Sequence, residues 1–467
     1  MNLVRALRLP QLPPSRSSSL RGETISLVGA GGKTTALFQL AHELITPRTA
    51  NRQPLTILTT TTHLGDWQVQ QADHHFIVTE NEPLPELDSL DGVILVTGPR
   101  DGDRFTPPPR QTLDHLRGHC AARGLSLLIE ADGARGRPLK APAAHEPALP
   151  DFVDTVVVAA GLGGLGKPLT EDFVHRPHLF STLSGLPFNE PVTPEALVRV
   201  LTHPEGGLKN IPPGARRVAL LNQADTPELQ SIGGRMAKSL LNDFDSVVVG
   251  SLLQPSNLQT FEPIAGIILA AGASERFGQP KQLLDWRGQP FVRAVAQTAL
   301  DAGLAPVIVV TGAYADGVEA ALRDLPVTIV RNEGWQEGQA SSIRAGIRAL
   351  TPSPLSQRER GWGEGGALFL LADQPHIPVN VIQALVEHHT RELYPIVAPL
   401  VMMEQRANPV LFDRVTFSDL LTLTGDIGGR ALFSKYPVEY LPWHDDRLLL
   451  DVDKPEDYQR LVEDETL

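Results

Sequence analysis

The stretch at 266–286, GIILAAGASERFGQPKQLLDW, joins an apolar run to glycine, hydroxyl and basic side chains. Its regularly spaced residues are Gly272, Ser274, Arg276, Gly278 and Lys281. Small residues after a strand let backbone N–H groups approach an anion closely, and the two basic side chains add positive charge. This order predicts a loop that holds a triphosphate and stabilises the charge that grows during nucleotidyl transfer. The alternative is a tight turn with solvated charges.

An acidic residue, Asp373, follows a second apolar run in LFLLADQP. A carboxylate at the end of a buried strand is costly unless a cation accompanies it, and Mg²⁺ is the usual cation beside phosphates. Asp373 is therefore a candidate magnesium ligand, although a carboxylate here could also cap the next helix or turn. For a second ligand, Asp426 in LTGDIGGR is the first choice and Asp453 in LLLDVDKPEDY the next.

Another glycine-rich stretch, ISLVGAGGKTTALFQLAHEL at 25–44, suits a phosphate loop of a different type. Lys33 occupies the place of a phosphate-binding lysine, and Thr34 that of a magnesium-binding hydroxyl. The loop is shorter than the standard one, whose first glycine would fall on Leu27. A helix starting here would direct its N-terminus at a phosphate. The candidate phosphate-binding residues are Gly29, Gly31, Gly32, Lys33, Thr34 and Thr35.

Further polar residues follow later apolar runs in this half of the chain. LSLLIEADG ends with Glu130 and Asp132, as a Walker B carboxylate would. LLNQAD at 220–225 is similar to the base-reading motif of GTPases, with Gln223 in the lysine position, which makes Asp225 a candidate guanine contact. The hydroxyl-rich TTTTH at 59–63 is explained equally well by the preference of threonine for strands.

The elements that must position these residues are strands buried on both faces. A chain of 467 residues is long enough for two or three domains. Near-continuous Val, Ile and Leu runs alternate with helical patterns, which is typical of parallel sheets covered by helices. We predict an α/β fold with two open, mostly parallel sheets, P-loop-like in the first half and Rossmann-like in the second. Ligands of such sheets bind beyond the carboxyl ends of the strands.

Composition shifts give the predicted boundaries. Residues 1–22 read as a loose leader, 23–255 as the first domain and 262–467 as the second. A Pro- and Asn-containing joint at 252–263 places the boundary near residue 261. The polar, Gly- and Pro-rich segment at 351–366, TPSPLSQRERGWGEGG, is predicted to be a disordered insertion.

Charge and composition also exclude several functional classes. The formal charge of −13 argues against a nucleic-acid-binding protein, because nothing would neutralise a phosphate backbone. The single cysteine, Cys120, excludes an internal disulfide and a cysteine-based zinc site, and a reducing cytoplasm is the expected compartment. The histidines lack metal-ligand spacing. No apolar run approaches the length that a membrane span needs.

The second half resembles the MobA-like nucleotidyltransferases, most closely the molybdenum cofactor cytidylyltransferase branch. LAAGASERFGQPK matches the family pattern LAAGxSxRxGxxK, and Asp373 opens its DQP element. GDIGGR matches GDxGxR through Asp426 and Arg430, DVDKPED matches the terminal element, and NEGWQEGQASSIRAG is also similar. The family commonly has His where this chain has Asn408.

That resemblance implies a reaction in which CTP and molybdenum-bound molybdopterin give the cytosine dinucleotide cofactor and pyrophosphate. The pterin phosphate would attack the α-phosphorus in line. Arg276 and Lys281 would stabilise charge, and Asp373 would hold Mg²⁺. The nucleotide would contact Leu269, Ala270, Ala271, Gly272, Ser274, Gly278 and Ser342. A guanylyltransferase or a sugar-phosphate nucleotidyltransferase is the alternative, because the same loop serves all three.

The first half resembles the YqeC family, which is associated with selenium-dependent molybdenum hydroxylases. The matching stretches are VGAGGKTT, TILTTTTH, IEADGARGRPLKAPAAHEP and GLGKPLTEDFVHRP. They contain polar residues that could form a site or lie on the surface: Arg135, Lys140, His145, Glu146, His175 and Arg176. The resemblance implies that this half binds ATP or GTP and assists the maturation of a molybdenum hydroxylase apo-enzyme. A non-catalytic carrier or docking module is the alternative.

Overall fold

The computed structural model describes residues 1–9, 22–45, 55–80, 82, 84, 86–274, 277–350 and 364–463. By its contacts the chain divides into two compact units, Met1–Phe261 and Glu262–Leu467, here called unit 1 and unit 2. The side chain of Arg276 and residues 351–363 of the predicted insertion lie outside the described residues. Gly366, the last residue of that predicted insertion, is already the first residue of a strand.

Unit 1 contains the following strands and helices in its described part. The strands are β1 Thr24–Gly29, β2 Leu55–Thr60, β3 Leu64–Gly65, β4 His74–Ile77, β5 Gly92–Thr97, β6 Arg100–Asp101, β7 Arg104–Phe105, β8 Leu127–Glu130, β9 Leu139–Lys140, β10 Thr155–Gly161, β11 Val174–His175, β12 Arg216–Asn222, β13 Ser246–Ser251 and β14 Gln254–Phe261. The helices are α1 Leu3–Ala6, α2 Lys33–Leu44, α3 Asp66–Val69, α4 Arg110–Arg123, α5 Pro177–Ser184, α6 Pro194–Thr202 and α7 Pro227–Leu240.

The main sheet of unit 1 is open and mostly parallel, as predicted. Its strand order in the described chain is β14-β13-β12-β10-β1-β8-β2-β5-β4, and β14 alone pairs antiparallel. Strand β10 is buried along its whole length, which its valine- and alanine-rich sequence suits. Helices cover the sheet, and α6 and α7 each begin with a threonine N-cap followed by proline. β1 lies between β10 and β8, so the loop after β1 opens near the middle of the sheet edge.

The prediction of a loose leader is wrong for its first nine residues. α1 contributes Leu3 and Leu7 to the core beneath β1 and α2, and both side chains are fully buried. The backbone of Val4 donates to Glu43 in α2 at 2.8 Å, and Arg216 donates to the carbonyl oxygen of Leu7 at 2.6 Å. An apolar segment this short has no helical period that a sequence could reveal. Its packing partners also lie far along the chain, so the sequence does not show the contact.

The predicted joint at 252–263 is also corrected by the structure, since most of it forms the edge strand β14. β14 pairs with β13, and Leu258 and Thr260 are buried, whereas Leu253 before the strand is exposed. Proline is tolerated on an edge strand because its missing N–H faces no partner there. Unit 1 therefore continues to Phe261, beyond the predicted domain end at 255.

Unit 2 contains the following elements in its described part. The strands are β15 Ile264–Ala270, β16 Asp285–Trp286, β17 Gln289–Pro290, β18 Val307–Thr311, β19 Thr328–Arg331, β20 Gly366–Leu371, β21 Ile396–Val401, β22 Gln405–Arg406, β23 Val410–Asp413 and β24 Val438–Trp443. The helices are α8 Phe291–Asp301, α9 Ala315–Leu322, α10 Gln339–Leu350, α11 Val379–Glu392, α12 Phe417–Leu420 and α13 Pro455–Glu463.

The sheet of unit 2 is mixed. Its strand order through the described residues is β19-β18-β15-β20-β23-β21-β22, with β24 also paired to β21. β19, β18, β15 and β20 are parallel, whereas β23 runs antiparallel to both of its neighbours. β15 and β20 align Leu269 with Leu371, so the loops that follow these two strands emerge side by side. Apolar side chains pack on both faces of the sheet.

Two further features of the structure are the position of the single cysteine and the character of the helices. Cys120 is buried, and its burial raises the pKa of the thiol to about 12. Among the described helices, none combines the length and the apolar character that crossing a membrane requires.

The packing of α1 predicts that Leu7→Ala destabilises unit 1 by about 2–5 kcal/mol, because a fully buried leucine is truncated. Leu253→Ala is the matched control, since that leucine is 84% exposed in the same unit. Hydrogen exchange of peptides from β1 and α2, followed by mass spectrometry, measures the change. Equal protection in the two variants would show that the N-terminal segment is not part of the core.

Candidate functional site

The loop after β15 carries the predicted nucleotide-binding residues of unit 2. Ser274 has a left-handed backbone with φ 54°, and its hydroxyl accepts from the backbone N–H of Lys281 at 3.2 Å. Gly278 lies in the following turn with φ 77°. A Cβ added at Gly272 would meet no atom within 4 Å, so this glycine leaves space open beside the loop. Such a loop can bring backbone N–H groups close to a phosphate.

Gln282, which the sequence did not single out, holds this loop in place. Its amide nitrogen donates to the carbonyl oxygens of Gly272 at 2.7 Å and Ala270 at 3.3 Å, and the side chain is buried. The sequence gives no signal for this role, because the partners of Gln282 are backbone carbonyl oxygens and no sequence pattern marks such partners.

The loop opens onto a cleft of about 800 Å³, which collects most of the predicted residues. Leu269, Ala271, Gly272, Ser274, Lys281, Ser342, Asp373, Asp426 and Asp453 all line it. Ala270 is instead buried beneath the loop, at 1% exposure. Unpredicted residues also contribute to the wall, including Trp335 and Gln339.

Lys281 lies between two carboxylates at the floor of the cleft. Its Nζ is 2.7 Å from Oδ1 of Asp453 and 3.8 Å from Oδ2 of Asp373. Burial raises the pKa of Asp373 to about 6; Lys281 opposes the rise, and Asp451 and Asp453 add to it. Asp373 follows β20 and Lys281 follows β15, so the parallel pairing of these strands brings the two together. The region holds more negative than positive charge and therefore suits a cation.

Asp426 lies on the same cleft, but its contact is of another kind. It is exposed, and its Oδ1 accepts from the backbone N–H of Gln339 at 3.2 Å, at the start of α10. The contacts thus join Asp453, rather than the preferred Asp426, to Asp373 through a shared lysine. Within the described residues no group of three or more His, Cys, Asp or Glu side chains is arranged to hold a metal. Mg²⁺ needs only one or two carboxylates where phosphates supply the other ligands, and the oxygen donors here fit it.

Asn332 after β19 positions the hydroxyl that the sequence assigned to the nucleotide. Its Nδ2 donates to Ser341 at 2.8 Å and to Ser342 at 3.1 Å, and its Oδ1 accepts from the backbone N–H of Gly334. Ser342 consequently faces the cleft from the first turn of α10.

A second cavity of about 290 Å³ adjoins the cleft in unit 2 and shares Leu269, Gln339 and Leu371 with it. Asn408, Gly428 and Arg430 line it, so Asn408 meets the GDxGxR-like element there. Arg430 is exposed and donates to the carbonyl oxygen of Arg406 at 3.4 Å. An arginine beside a nucleotide cleft can hold the anionic group of a second substrate.

In unit 1, the predicted phosphate loop joins β1 to α2. Gly29, Gly31 and Gly32 have φ of 94°, 74° and 119°, which side chains rarely adopt. A Cβ at Gly31 would lie 2.2 Å from the backbone nitrogen of Gly161, so packing also requires that glycine. Thr34 and the exposed Thr35 lie in the first turn of α2.

Lys33 is folded back onto its own loop. Its Nζ donates to the carbonyl oxygen of Gly29 at 2.7 Å and lies 3.0 Å from Asp132, and both charged side chains are almost fully buried. Burial lowers the pKa of Lys33, but Asp132 and Glu130 outweigh it and leave that pKa above its ordinary value. Asp132 also accepts from the backbone N–H of Gly29 at 2.9 Å. The carboxylate of Asp132 thus holds both the lysine side chain and the backbone of the loop in position.

Thr34 and the predicted Walker B residues are likewise in contact. The hydroxyl of Thr34 donates to Glu130 at 3.1 Å and accepts from Gln68 at 2.5 Å. Burial raises the pKa of Glu130. A hydroxyl and a carboxylate in this arrangement can share a hydrated Mg²⁺ with a nucleotide.

The predicted base-reading residue, Asp225, lies exposed beyond β12. The residue that touches the loop is Asn222, whose Nδ2 donates to the carbonyl oxygen of Gly31 at 2.7 Å and whose Oδ1 accepts from Leu252 at 3.0 Å. Asn222 belongs to the same LLNQAD motif, so the motif was informative, but the asparagine supports the phosphate loop.

Comparison with known proteins agrees with this division into two units. Residues 25–178 match the family model described as YqeC protein, and residues 266–440 match that of the MobA-like NTP transferase domain. The uncharacterized protein YqeC of Escherichia coli (strain K12) is 35% identical over 212 residues, which cover 44% of this chain and 77% of that protein.

Two relatives match unit 2. Nicotine blue oxidoreductase of Paenarthrobacter nicotinovorans is 31% identical over 209 residues, or 43% of this chain and 96% of that protein. A probable molybdenum cofactor guanylyltransferase of Bacillus cytotoxicus is 29% identical over 148 residues, or 32% of this chain and 66% of that protein. The chain therefore belongs to the YqeC family through its first unit and to the MobA-like nucleotidyltransferases through its second.

Proposed function

We propose that unit 2 transfers a cytidylyl group from CTP to the terminal phosphate of molybdenum-bound molybdopterin. A phosphate oxygen of the pterin forms a bond to the α-phosphorus of CTP, the bond from that phosphorus to the bridging oxygen breaks, and pyrophosphate leaves. The observation that carries the proposal is the meeting of the loop 271–274, Lys281 and Asp373 in one cleft. Nothing in this reaction needs a side-chain nucleophile.

The described loop and Lys281 would bind the triphosphate. Backbone N–H groups at Gly272 and Ser274 approach it, Arg276 adds charge from the same loop, and Lys281 stabilises the charge that grows on the leaving pyrophosphate. Gln282 keeps the loop in its open form through Gly272. Ser342, positioned by Asn332, supplies a further hydroxyl donor on the opposite wall.

Asp373 and Asp453 would hold Mg²⁺, which supplies neutralising charge at the phosphates when it is bound. Both carboxylates already contact the same ammonium group, so they lie near one another. If these carboxylates held Mg²⁺, Lys281 could contact phosphate oxygens instead of them. Asp426 is the alternative second ligand, although it now caps α10.

The adjoining cavity would receive the pterin substrate. Arg430 and the backbone at Gly428 suit an anionic group, and Asn408 replaces the histidine common in the related family. The shared residues Leu269, Gln339 and Leu371 make the cavity continuous with the nucleotide cleft, as in-line transfer requires. A guanylyltransferase is the alternative, since that is the name of one relative of unit 2. A sugar-phosphate nucleotidyltransferase is the other.

Unit 1 would bind ATP or GTP at the loop 29–35 and assist the maturation of a molybdenum hydroxylase apo-enzyme in the cytoplasm. The contacts that support this are Lys33 with Asp132 and Thr34 with Glu130. On ligand binding, the residues of each pair would give up a contact with one another, and a phosphate or a hydrated Mg²⁺ would replace it. Carrying both activities on one chain raises the effective concentration of a labile product near its next user. The alternative is a non-catalytic docking module.

Pyrophosphate release with each of the four NTPs, with and without molybdenum-bound molybdopterin, tests the proposed reaction. We expect release with CTP and pterin together, and little with either alone. Asp373→Asn should lower the rate by about 100-fold, because it weakens the hold on Mg²⁺, which would neutralise charge at the phosphates. Faster release with GTP would replace the cytidylyl assignment, and full activity of Asp373→Asn would remove Asp373 from the mechanism.

The second magnesium ligand is tested by the pair Asp453→Asn and Asp426→Asn. We expect Asp453→Asn to raise the Mg²⁺ concentration for half-maximal activity by roughly 10- to 100-fold, as loss of metal-site support does. Asp426→Asn should leave that concentration nearly unchanged, because its carboxylate caps α10. Titrating Mg²⁺ at saturating CTP measures both values. The opposite order would restore Asp426 as the ligand.

Nucleotide binding by unit 1 is tested by Lys33→Met and Thr34→Val. We expect each variant to weaken the binding of fluorescent ATP or GTP analogues by about tenfold or more, the equivalent of one lost charge-assisted hydrogen bond. Thr182→Val, an exposed threonine of the same unit, is the control. Pyrophosphate release by unit 2 should not change. Undiminished affinity in both loop variants would favour the docking module.

A further inference from the structure

A separate cavity of about 340 Å³ opens in unit 1 beside the phosphate loop. Thr61 and Thr62 line it after β2, and Ala131 and Gly133 line it after β8. β8 and β2 are parallel to β1, so the cavity lies on the same sheet edge as the loop 29–35. Ligands of open α/β sheets bind at this edge. Neither of the proposed activities uses the cavity.

The walls of the cavity are basic although the chain as a whole carries a formal charge of −13. Arg104, Arg135 and Arg176 line it, against a single carboxylate, Glu146. That carboxylate is already neutralised: Arg176 donates to both of its oxygens at 2.7 and 2.8 Å, and Lys140 lies 2.8 Å away. The hydrogen bonds and charges of these partners lower the pKa of Glu146 to about 2 against the effect of burial.

Two of the arginines remain available to a ligand. Arg104 and Arg135 are exposed, and within the described part of the chain neither is ion-paired. His63, His145 and His175 extend the polar wall. Burial lowers the pKa of His175 to about 4, and Arg176 and Lys140 add to this effect. A net positive cavity with free guanidinium groups favours an anion.

The floor of the cavity contains a buried hydroxyl that lacks a partner among the described residues. The Oγ1 of Thr61 is inaccessible to solvent and makes no hydrogen bond there, whereas the backbone N–H of the same residue donates to Glu130 at 3.0 Å. A buried polar atom without a partner costs free energy, so this part of the cavity wall is polar and unsaturated. Arg135 and Arg176 also have left-handed backbones, with φ of 50° and 64°. Such conformations cluster at ligand sites.

We propose that this cavity binds a small anionic molecule that carries phosphate or carboxylate groups. Arg104 and Arg135 would contact the anion from the rim. The salt-bridged pair of Glu146 and Arg176 forms a fixed wall. The inference is independent of nucleotide binding, because it uses none of the loop residues.

A continuous set of contacts links this anion site to the phosphate loop. Asp132 touches Lys33 on one side and Lys140, at 2.8 Å, on the other, and Lys140 in turn contacts Glu146. The backbone oxygen of Glu130 accepts from Thr61, and its carboxylate accepts from Thr34. A nucleotide on the loop and an anion in the cavity would therefore share Asp132 and Glu130 as neighbours. Unit 1 then has the layout of a site for two small substrates.

Isothermal titration calorimetry of the full chain with inorganic phosphate and with malonate, at constant ionic strength and without nucleotide, tests the proposal. We expect binding of at least one of the two anions. Arg104→Ala and Arg135→Ala should each weaken it by about tenfold or more, since each removes a charge-assisted contact. Both arginines are exposed, so these variants should fold. Arg110→Ala, an exposed arginine on α4 outside the cavity, is the matched control and should bind like the wild type.

The two probes separate the sources of anionic charge. Phosphate binding alone that depends on Arg104 and Arg135 identifies a phosphate-bearing ligand, and malonate binding alone identifies a carboxylate. Phosphate binding that survives both arginine variants but is lost in Thr34→Val would place the anion on the loop and overturn the proposal. Binding of neither anion would overturn it as well.

Discussion

The nucleotide cleft depends on one contact, in which the buried ammonium group of Lys281 lies between Asp453 and Asp373. Like charges this close to a sheet edge would repel one another, and the lysine keeps the carboxylates together until a ligand arrives. The pKa of Asp373 stays raised, chiefly by burial and further by Asp451 and Asp453, despite the opposing effect of the lysine. A divalent cation compensates better. This imbalance of charge is what the proposed Mg²⁺ site rests on.

Unit 1 meets the same problem with a different arrangement of parts. Lys33 and Lys140 both contact Asp132, and Lys140 also contacts Glu146, so the two buried lysines are paired with carboxylates. Asp132 also accepts from the backbone N–H of Gly29 and so fixes the start of the predicted phosphate loop. One residue therefore contributes to both the shape and the charge of the loop. Through Lys140 and Glu146, its position also joins the loop to the basic cavity.

Sequence reasoning succeeded where the chemistry is local to a strand and the loop after it. The positions of Lys33, Lys281 and Asp373 follow from apolar runs that end in polar residues, and parallel strands align those ends. It failed where a partner lies far along the chain. α1 reads as a leader because its core contacts are with β14 and α2, and the supports Gln282 and Asn222 act on backbone carbonyls that no pattern marks.

Gln282 and Asn222 show why a short motif predicts where a site lies better than it predicts how rigid the site is. A glycine-rich loop supplies donors only if something prevents it from collapsing onto itself. Gln282 does this from within the loop of unit 2, whereas Asn222 does it across the sheet in unit 1 by bridging Gly31 and Leu252. Both are buried amides with two contacts each, so they cannot rotate away without leaving polar groups unpaired. Ligand binding then requires little reorganisation of either loop.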